Sequence, residues 1–190
     1  ESTSADVLAS WDNQFFYKAE VDEGHPGLRK PQLGALHAVL GHFLSPCDVA
    51  TVVLPTGTGK TETMLAALVA GKCKKLLVTV PSKALRTQLF NKFKQLGVLK
   101  DPKFGIVGNF ALYPIVGMVT TTFKTKIELM DFVSKCNVVV TTMQIIDSAP
   151  QDQKDVYVSA FSNVFIDEAH QIMAASWRQF SERFPKERLV

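Results

Sequence analysis

Only three cysteines occur in the 190 residues, Cys47, Cys73 and Cys136, and they lack the spacing of a metal clip or a redox pair. Nothing here reads as a disulfide framework, and free thiols in a reducing cytosol are the simplest account. The four histidines, His25, His37, His42 and His170, form no zinc pattern either, so no structural metal is expected. No apolar run approaches the ~20 residues of a membrane span. The amino terminus also lacks the basic-then-apolar order of a signal peptide. A soluble, cytoplasmic protein with no membrane partner is therefore expected. Its first residue is Glu1 rather than Met, which reads as a processed product or an excised piece. Strong charge is missing as well: 21 basic against 18 acidic residues leave +3, and a pI near 8.7 is no nucleic-acid footprint by itself. Repeats and low-complexity tracts are absent.

What is present is apolar sequence, 46% of the chain, arranged in short runs. Strand-like stretches at 49–54, 76–80, 104–107, 115–120, 137–141 and 164–166 alternate with helix-like segments. That alternation predicts an α/β domain with a mainly parallel sheet flanked by helices on both faces. Residues 28–190 form the predicted domain, and 1–27 read as an extension whose aromatics Trp11, Phe15, Phe16 and Tyr17 pack onto it. The stretches 108–126 and 147–157 are irregular or polar enough to read as loops.

Two segments carry chemistry. The first, Pro55-Thr56-Gly57-Thr58-Gly59-Lys60-Thr61, stands between an apolar strand and a helix-like run, which is the setting of a phosphate-binding loop. Gly57 and Gly59 let backbone N–H groups close on phosphate, Lys60 reaches the β/γ oxygens, and the Thr61 hydroxyl suits Mg²⁺. The helix N-terminus adds its dipole. Leu54 stands where the usual pattern opens with glycine. The second segment, Asp167-Glu168-Ala169-His170, follows Val164-Phe165-Ile166, so its acids emerge at the carboxyl edge of a strand, where ligands bind in such sheets. Asp167 fits the acceptor of a Mg²⁺ shell, Glu168 the group that orients and deprotonates water, and His170 a link to neighbouring elements. Alone, an Asp-Glu pair after a strand also reads as a helix cap with an acidic first turn. Both segments together, in this order, specify ATP with Mg²⁺.

With both motifs in place, the chain resembles the first RecA-like domain of a superfamily 2 helicase or translocase. The likeness is to the DEAH-bearing type found in restriction-enzyme motor subunits, and it runs from Leu28 to about Phe184. Leu28-Arg29-Lys30-Pro31-Gln32 is similar to a stretch in which the glutamine reads adenine, which implies Arg29 and Gln32 at the base. A glutamine amide suits adenine N6 and N7, although Gln32 also fits a first-turn polar residue of an amphipathic helix. One of the amino-terminal aromatics could stack on the same base. The segment 78–88 resembles motif Ia, implying that Ser82, Lys83 and Arg86 meet a nucleic-acid backbone. The same segment also carries an ordinary core stripe of Leu85, Leu89, Phe93 and Leu96. Residues 138–144 are similar to a second strand-to-helix contact, implying Thr142 and Gln144, with Thr142 serving equally as a plain cap. Trp177-Arg178-Gln179-Phe180 resembles the aromatic-basic helix that follows the acidic box in the restriction-type subgroup, and a packing stripe explains it as simply.

The resemblance implies an ATP-driven motor on nucleic acid, DNA rather than RNA on subgroup likeness, with a second RecA-like domain outside this sequence. RNA remodelling and a nucleotide switch indifferent to nucleic acid stay open as alternatives.

Overall fold

Leu76–Val80 (β1) and Val138–Thr142 (β3) are buried at every position, and this is why their sequences are almost unbroken apolar runs. A parallel strand covered on both faces has no solvent side to make polar. In the computed structural model, which describes residues 2–45, 48–55, 57–168 and 181–190, these two pair in register from Leu76 opposite Val138 to Val80 opposite Thr142. Val116–Met118 (β2) lies beyond β3, and Asn163–Ile166 (β4) flanks β1 on the other side. The order is β2-β3-β1-β4, all parallel.

Period-two alternation sorts the strand side chains into two cores. Leu76, Val78, Val80, Val138, Val140 and Phe165 pack with Ser4–Ser10 (α1), Lys30–Leu44 (α2), Lys60–Ala70 (α3) and Lys83–Gln95 (α4). Leu77, Val139, Val164 and Ile166 face Lys126–Lys135 (α5), Met143–Ser148 (α6) and Gln151–Ala160 (α7). Helices therefore cover both faces, as the alternation predicted. Cys73 is buried among the first group, and burial pushes its thiol up to about 12, so it behaves as a small apolar side chain.

The amino-terminal segment is part of this packing. Trp11 is fully buried in the first core, and its indole Nε1 donates to the Leu112 carbonyl at 3.0 Å. Asn137 Nδ2 donates to the Ser4 carbonyl at 2.8 Å while its Oδ1 accepts from Ile115 N at 3.0 Å, lacing α1 to the sheet. Trp11→Ala should cost about 3–5 kcal/mol of stability, read as a fall in the urea midpoint. A change under about 1 kcal/mol would mean that the segment is an appendage rather than core.

Four expectations need correction. Residues 49–54 are extended but form no ladder. Ala50 N donates to the Leu189 carbonyl at 3.1 Å, and Leu189 and Val190 run parallel beside β4, bonded to Val164 and Ile166 at 2.9 Å. Among the described residues the Leu189 carbonyl is the segment's one backbone partner in the neighbouring run, and Val53 is left largely exposed. Residues 104–107 supply only a bridge from Val107 to Phe15, because Gly105 at φ +60° turns the chain immediately before it. The expected loop 147–157 contains the start of α7, whose Gln153, Val156 and Tyr157 are buried at helical spacing behind an outward polar face. Likewise 108–126 contains β2 and the first residue of α5.

Candidate functional site

Since every strand runs the same way, the segments leaving β1, β2, β3 and β4 all surface at one edge of the sheet. Asp167 and Glu168 leave β4 there, with Asp167 N bonded to the Thr79 carbonyl at 3.0 Å and Glu168 N to Asp167 Oδ1 at 3.1 Å. Glu168 has φ +55°, in the left-handed region that costs a non-glycine residue about 1–2 kcal/mol. Its carboxylate forms an ion pair with Lys60 Nζ, joining two motifs 108 residues apart. Both groups are part-buried, the Lys60 side chain being about a third exposed. Lys60, Asp167 and Glu168 line one end of a cavity of about 720 Å³ between residues 49–55, α3 and β4.

Gly59 caps α3 at φ +88°, and Gly57 has φ +80°, both conformations that glycine adopts without strain. A Cβ on Gly59 would also fall 2.1 Å from Gln32 Nε2, so any larger residue would push that amide from its place. The Gly59 carbonyl accepts bonds from Gln32 Nε2 at 3.1 Å, Thr63 N at 3.1 Å and Thr63 Oγ1 at 3.2 Å. Gln32 is buried at 6% exposure, and its Oε1 accepts from Arg29 N at 2.8 Å. Arg29 Nη1 in turn donates to the Gly57 carbonyl at 3.0 Å. Thr58 Oγ1 donates to the Pro55 carbonyl at 2.5 Å, closing the turn. Thr61, in the first turn of α3, is half-buried.

Thus Arg29, Gln32, Pro55, Gly57, Thr58, Gly59, Lys60, Thr61, Asp167 and Glu168 are placed by α2, the turn before α3, and the exit of β4. Thr56 and His170 lie outside the described residues, as do Trp177, Arg178, Gln179 and Phe180.

The polymer-contact candidates divide. Ser82 caps α4, accepting from Leu85 N at 3.3 Å, and both it and Lys83 are exposed at the carboxyl edge. Gln144 is exposed on α6. Arg86 departs from expectation: at 7% exposure it turns inward and donates to the Val119 carbonyl at 3.2 Å, bracing α4 against the exit of β2. Thr142 departs too, since it is 5% exposed and makes no side-chain cap bond at the start of α6. The sequence reading missed Thr120, Thr121 and Lys124, which are exposed where β2 leaves the same edge. The signal was a run of hydroxyls beside a lysine, at and just past the end of the strand-like stretch 115–120.

This arrangement defines the class by fold: an α/β domain of RecA-like type. The chain matches the family model described as "Type III restriction enzyme, res subunit" over residues 25–190, and it belongs to that family. No curated protein matches it in sequence. Among solved structures it is similar to the UvsW helicase of bacteriophage T4, with TM-score 0.54, 18% identity, all of this chain and 58% of that one. It is also similar to a nuclease-deletion mutant of the type ISP restriction-modification enzyme LlaGI in complex with a DNA substrate mimic. There the TM-score is 0.54 and the identity 19%, over 85% of this chain and 16% of that one. A hypothetical ATP-dependent RNA helicase from Sulfolobus tokodaii gives TM-score 0.50 at 18% identity, over 93% of this chain and 44% of that one. At these identities the likeness is one of fold, and the chain spans between 16% and 58% of the length of these structures.

Proposed function

We propose that this chain is the ATP-binding lobe of a nucleic-acid-dependent ATPase that moves along DNA. The observation that carries the reading is the meeting of Lys60 and Glu168 across one cavity, at the carboxyl edge of the sheet. Left-handed Gly57 and Gly59 beside the N-terminus of an eleven-residue helix suit phosphate, and a half-buried hydroxyl with a nearby carboxylate suits Mg²⁺. Thr61 and Asp167 would hold the ion, which when bound neutralises charge on the β/γ oxygens. Lys60 stabilises charge developing at the γ-phosphate, Glu168 orients and deprotonates the attacking water, and His170 links this site to its surroundings.

Arg29 and Gln32 are assigned to the base. Gln32 keeps one N–H and one carbonyl lone pair beyond its bonds to Gly59 and Arg29, enough for a bidentate contact with adenine. Gln32→Ala should weaken ATP binding about tenfold and narrow the preference over GTP, measured by titration with both nucleotides. An unchanged preference would remove Gln32 from base selection.

Ser82, Lys83 and Gln144, with the exposed hydroxyls after β2, face the side where a sugar-phosphate backbone would pass, so contact is independent of sequence. In this reading residues 28–190 are the first of two lobes and 1–27 an extension built into it. A second lobe supplies the arginine that such sites use, worth about 10³–10⁵ in turnover. The chain by itself is therefore expected to hydrolyse ATP poorly.

DNA is favoured by the restriction-enzyme family, while the likeness to an RNA helicase fold keeps RNA as the second reading. The test is steady-state ATPase of the protein extended through a second lobe, without nucleic acid and with duplex DNA, single-stranded DNA or RNA. Stimulation by DNA supports the proposal, stimulation confined to RNA transfers the motor to RNA, and indifference to all three makes it a nucleotide switch.

A further inference from the structure

The opposite edge of the sheet carries a surface that the nucleotide reading does not use. β1 is five residues long, so this edge lies roughly 15 Å from the phosphate side at about 3.3 Å per residue. Here the chain between α4 and β2 turns outward, and Phe110 is 84% exposed, with Leu112, Tyr113 and Phe16 also exposed. Phe16 reaches this turn: its ring lies 3.4 Å from where a Cβ on Gly108 would sit, and its backbone N donates to the Ile106 carbonyl at 2.8 Å.

The turn is fixed rather than loose. Lys100 Nζ donates to the Ala111 carbonyl and sits 4.2 Å from the centre of the Tyr113 ring. Leu112 N donates to Ser10 Oγ at 2.8 Å, and its carbonyl receives the Trp11 indole. Burial lowers the Lys100 pKa from the ordinary lysine value, in keeping with an ammonium partly withdrawn from water. Beside Tyr113 opens a groove of about 560 Å³ between Lys94, Gly97, Lys100 and Asp101, room for one or two side chains. Lys94 is exposed at its rim, and Lys103, whose backbone N donates to the lining Asp101 Oδ1 at 2.9 Å, is exposed next to it.

Four large apolar side chains exposed along this turn and the segment against it, with lysines beside the adjoining groove, have the make-up of a protein interface. We propose that this amino-edge surface docks a partner protein through an acidic segment bearing apolar anchor side chains. Charge selects the occupant: Lys94 and Lys103 face carboxylates, Phe110 and Tyr113 receive the anchors, and the groove takes one of them. Asp101 interrupts the basic rim, so spaced carboxylates fit better than a continuous phosphate chain. With the nucleotide and polymer candidates at the other edge, docking leaves both free, and the inference stands whether or not the motor reading holds.

The test is fluorescence anisotropy on the 190-residue chain with three labelled probes: a peptide of about twelve residues in which Leu and Trp alternate with Asp and Glu, its Asn/Gln counterpart, and an oligothymidylate. The acidic peptide should bind about tenfold tighter than the neutral one. Phe110→Ser should weaken it about tenfold, and so, independently, should the double reversal Lys94→Glu with Lys103→Glu. Because all three residues are exposed, each variant should keep the parent's thermal midpoint. Equal affinity for the acidic and neutral peptides overturns the proposal, as does binding that survives Phe110→Ser. Preferential binding of oligothymidylate that Phe110→Ser abolishes overturns it too, and gives the surface to single-stranded nucleic acid.

Discussion

Lys60→Ala is expected to raise the Kd for Mg·ATP at least ten- to hundredfold. A lysine at this place in a phosphate turn makes charge-assisted bonds to the β/γ oxygens, each worth roughly 1.5–3 kcal/mol, and alanine replaces neither charge nor donor. Stability should change little, since Lys60 is a partly exposed first-turn residue of α3 and alanine is the better helix former. Titration calorimetry and a thermal melt on the same sample separate the two effects. Affinity within twofold of the parent would remove Lys60 from the phosphate site, and with it the assignment of the cavity.

Glu168→Gln is expected to split binding from turnover in the other direction. The amide cannot take a proton from water, so hydrolysis by the two-lobed protein should fall about 10²–10⁴-fold. Binding should be retained, and it should tighten. Lys60 is engaged by the Glu168 carboxylate, a contact that any incoming phosphate must displace. Removing the carboxylate's charge releases that competition, worth about 0.2–1 kcal/mol for a pair this close to solvent, or up to about fivefold in Kd. Single-turnover hydrolysis and equilibrium binding measured together decide the matter. Weaker binding in this variant would mean that Glu168 holds the ligand rather than the water, and unchanged turnover would move the base elsewhere.

How much of this was legible in the sequence depends on where each residue's partner lies. β1, β3 and β4 are read directly, because burial on both faces leaves only apolar side chains to be seen. Residues 49–54 give the same signal yet form no ladder and none of them is fully buried, since an apolar run does not say whether neighbouring elements cover it or supply a row of hydrogen bonds. Helix α7 was hidden because Asp152, Lys154 and Asp155, its outward face, look like loop. In the candidate site, Lys60 and Glu168 were found from local motifs, and their pairing followed from strand order. Arg86 was misplaced because its partner, the Val119 carbonyl, lies 33 residues away and no local pattern announces it. The left-handed Glu168 was equally invisible, for sequence gives no sign of φ outside glycine and asparagine.

The bonds that Arg29 and Gln32 make to the Gly57 and Gly59 carbonyls have a thermodynamic consequence. Freezing a flexible turn around a ligand would cost roughly 1–2 kcal/mol for each residue ordered. Here the curvature of residues 57–60 is held by the start of α2 rather than left to the chain itself. If the proposed nucleotide site holds, such a cradle is pre-organised, and binding energy that would have gone into ordering it stays available for the step in which the phosphate is released.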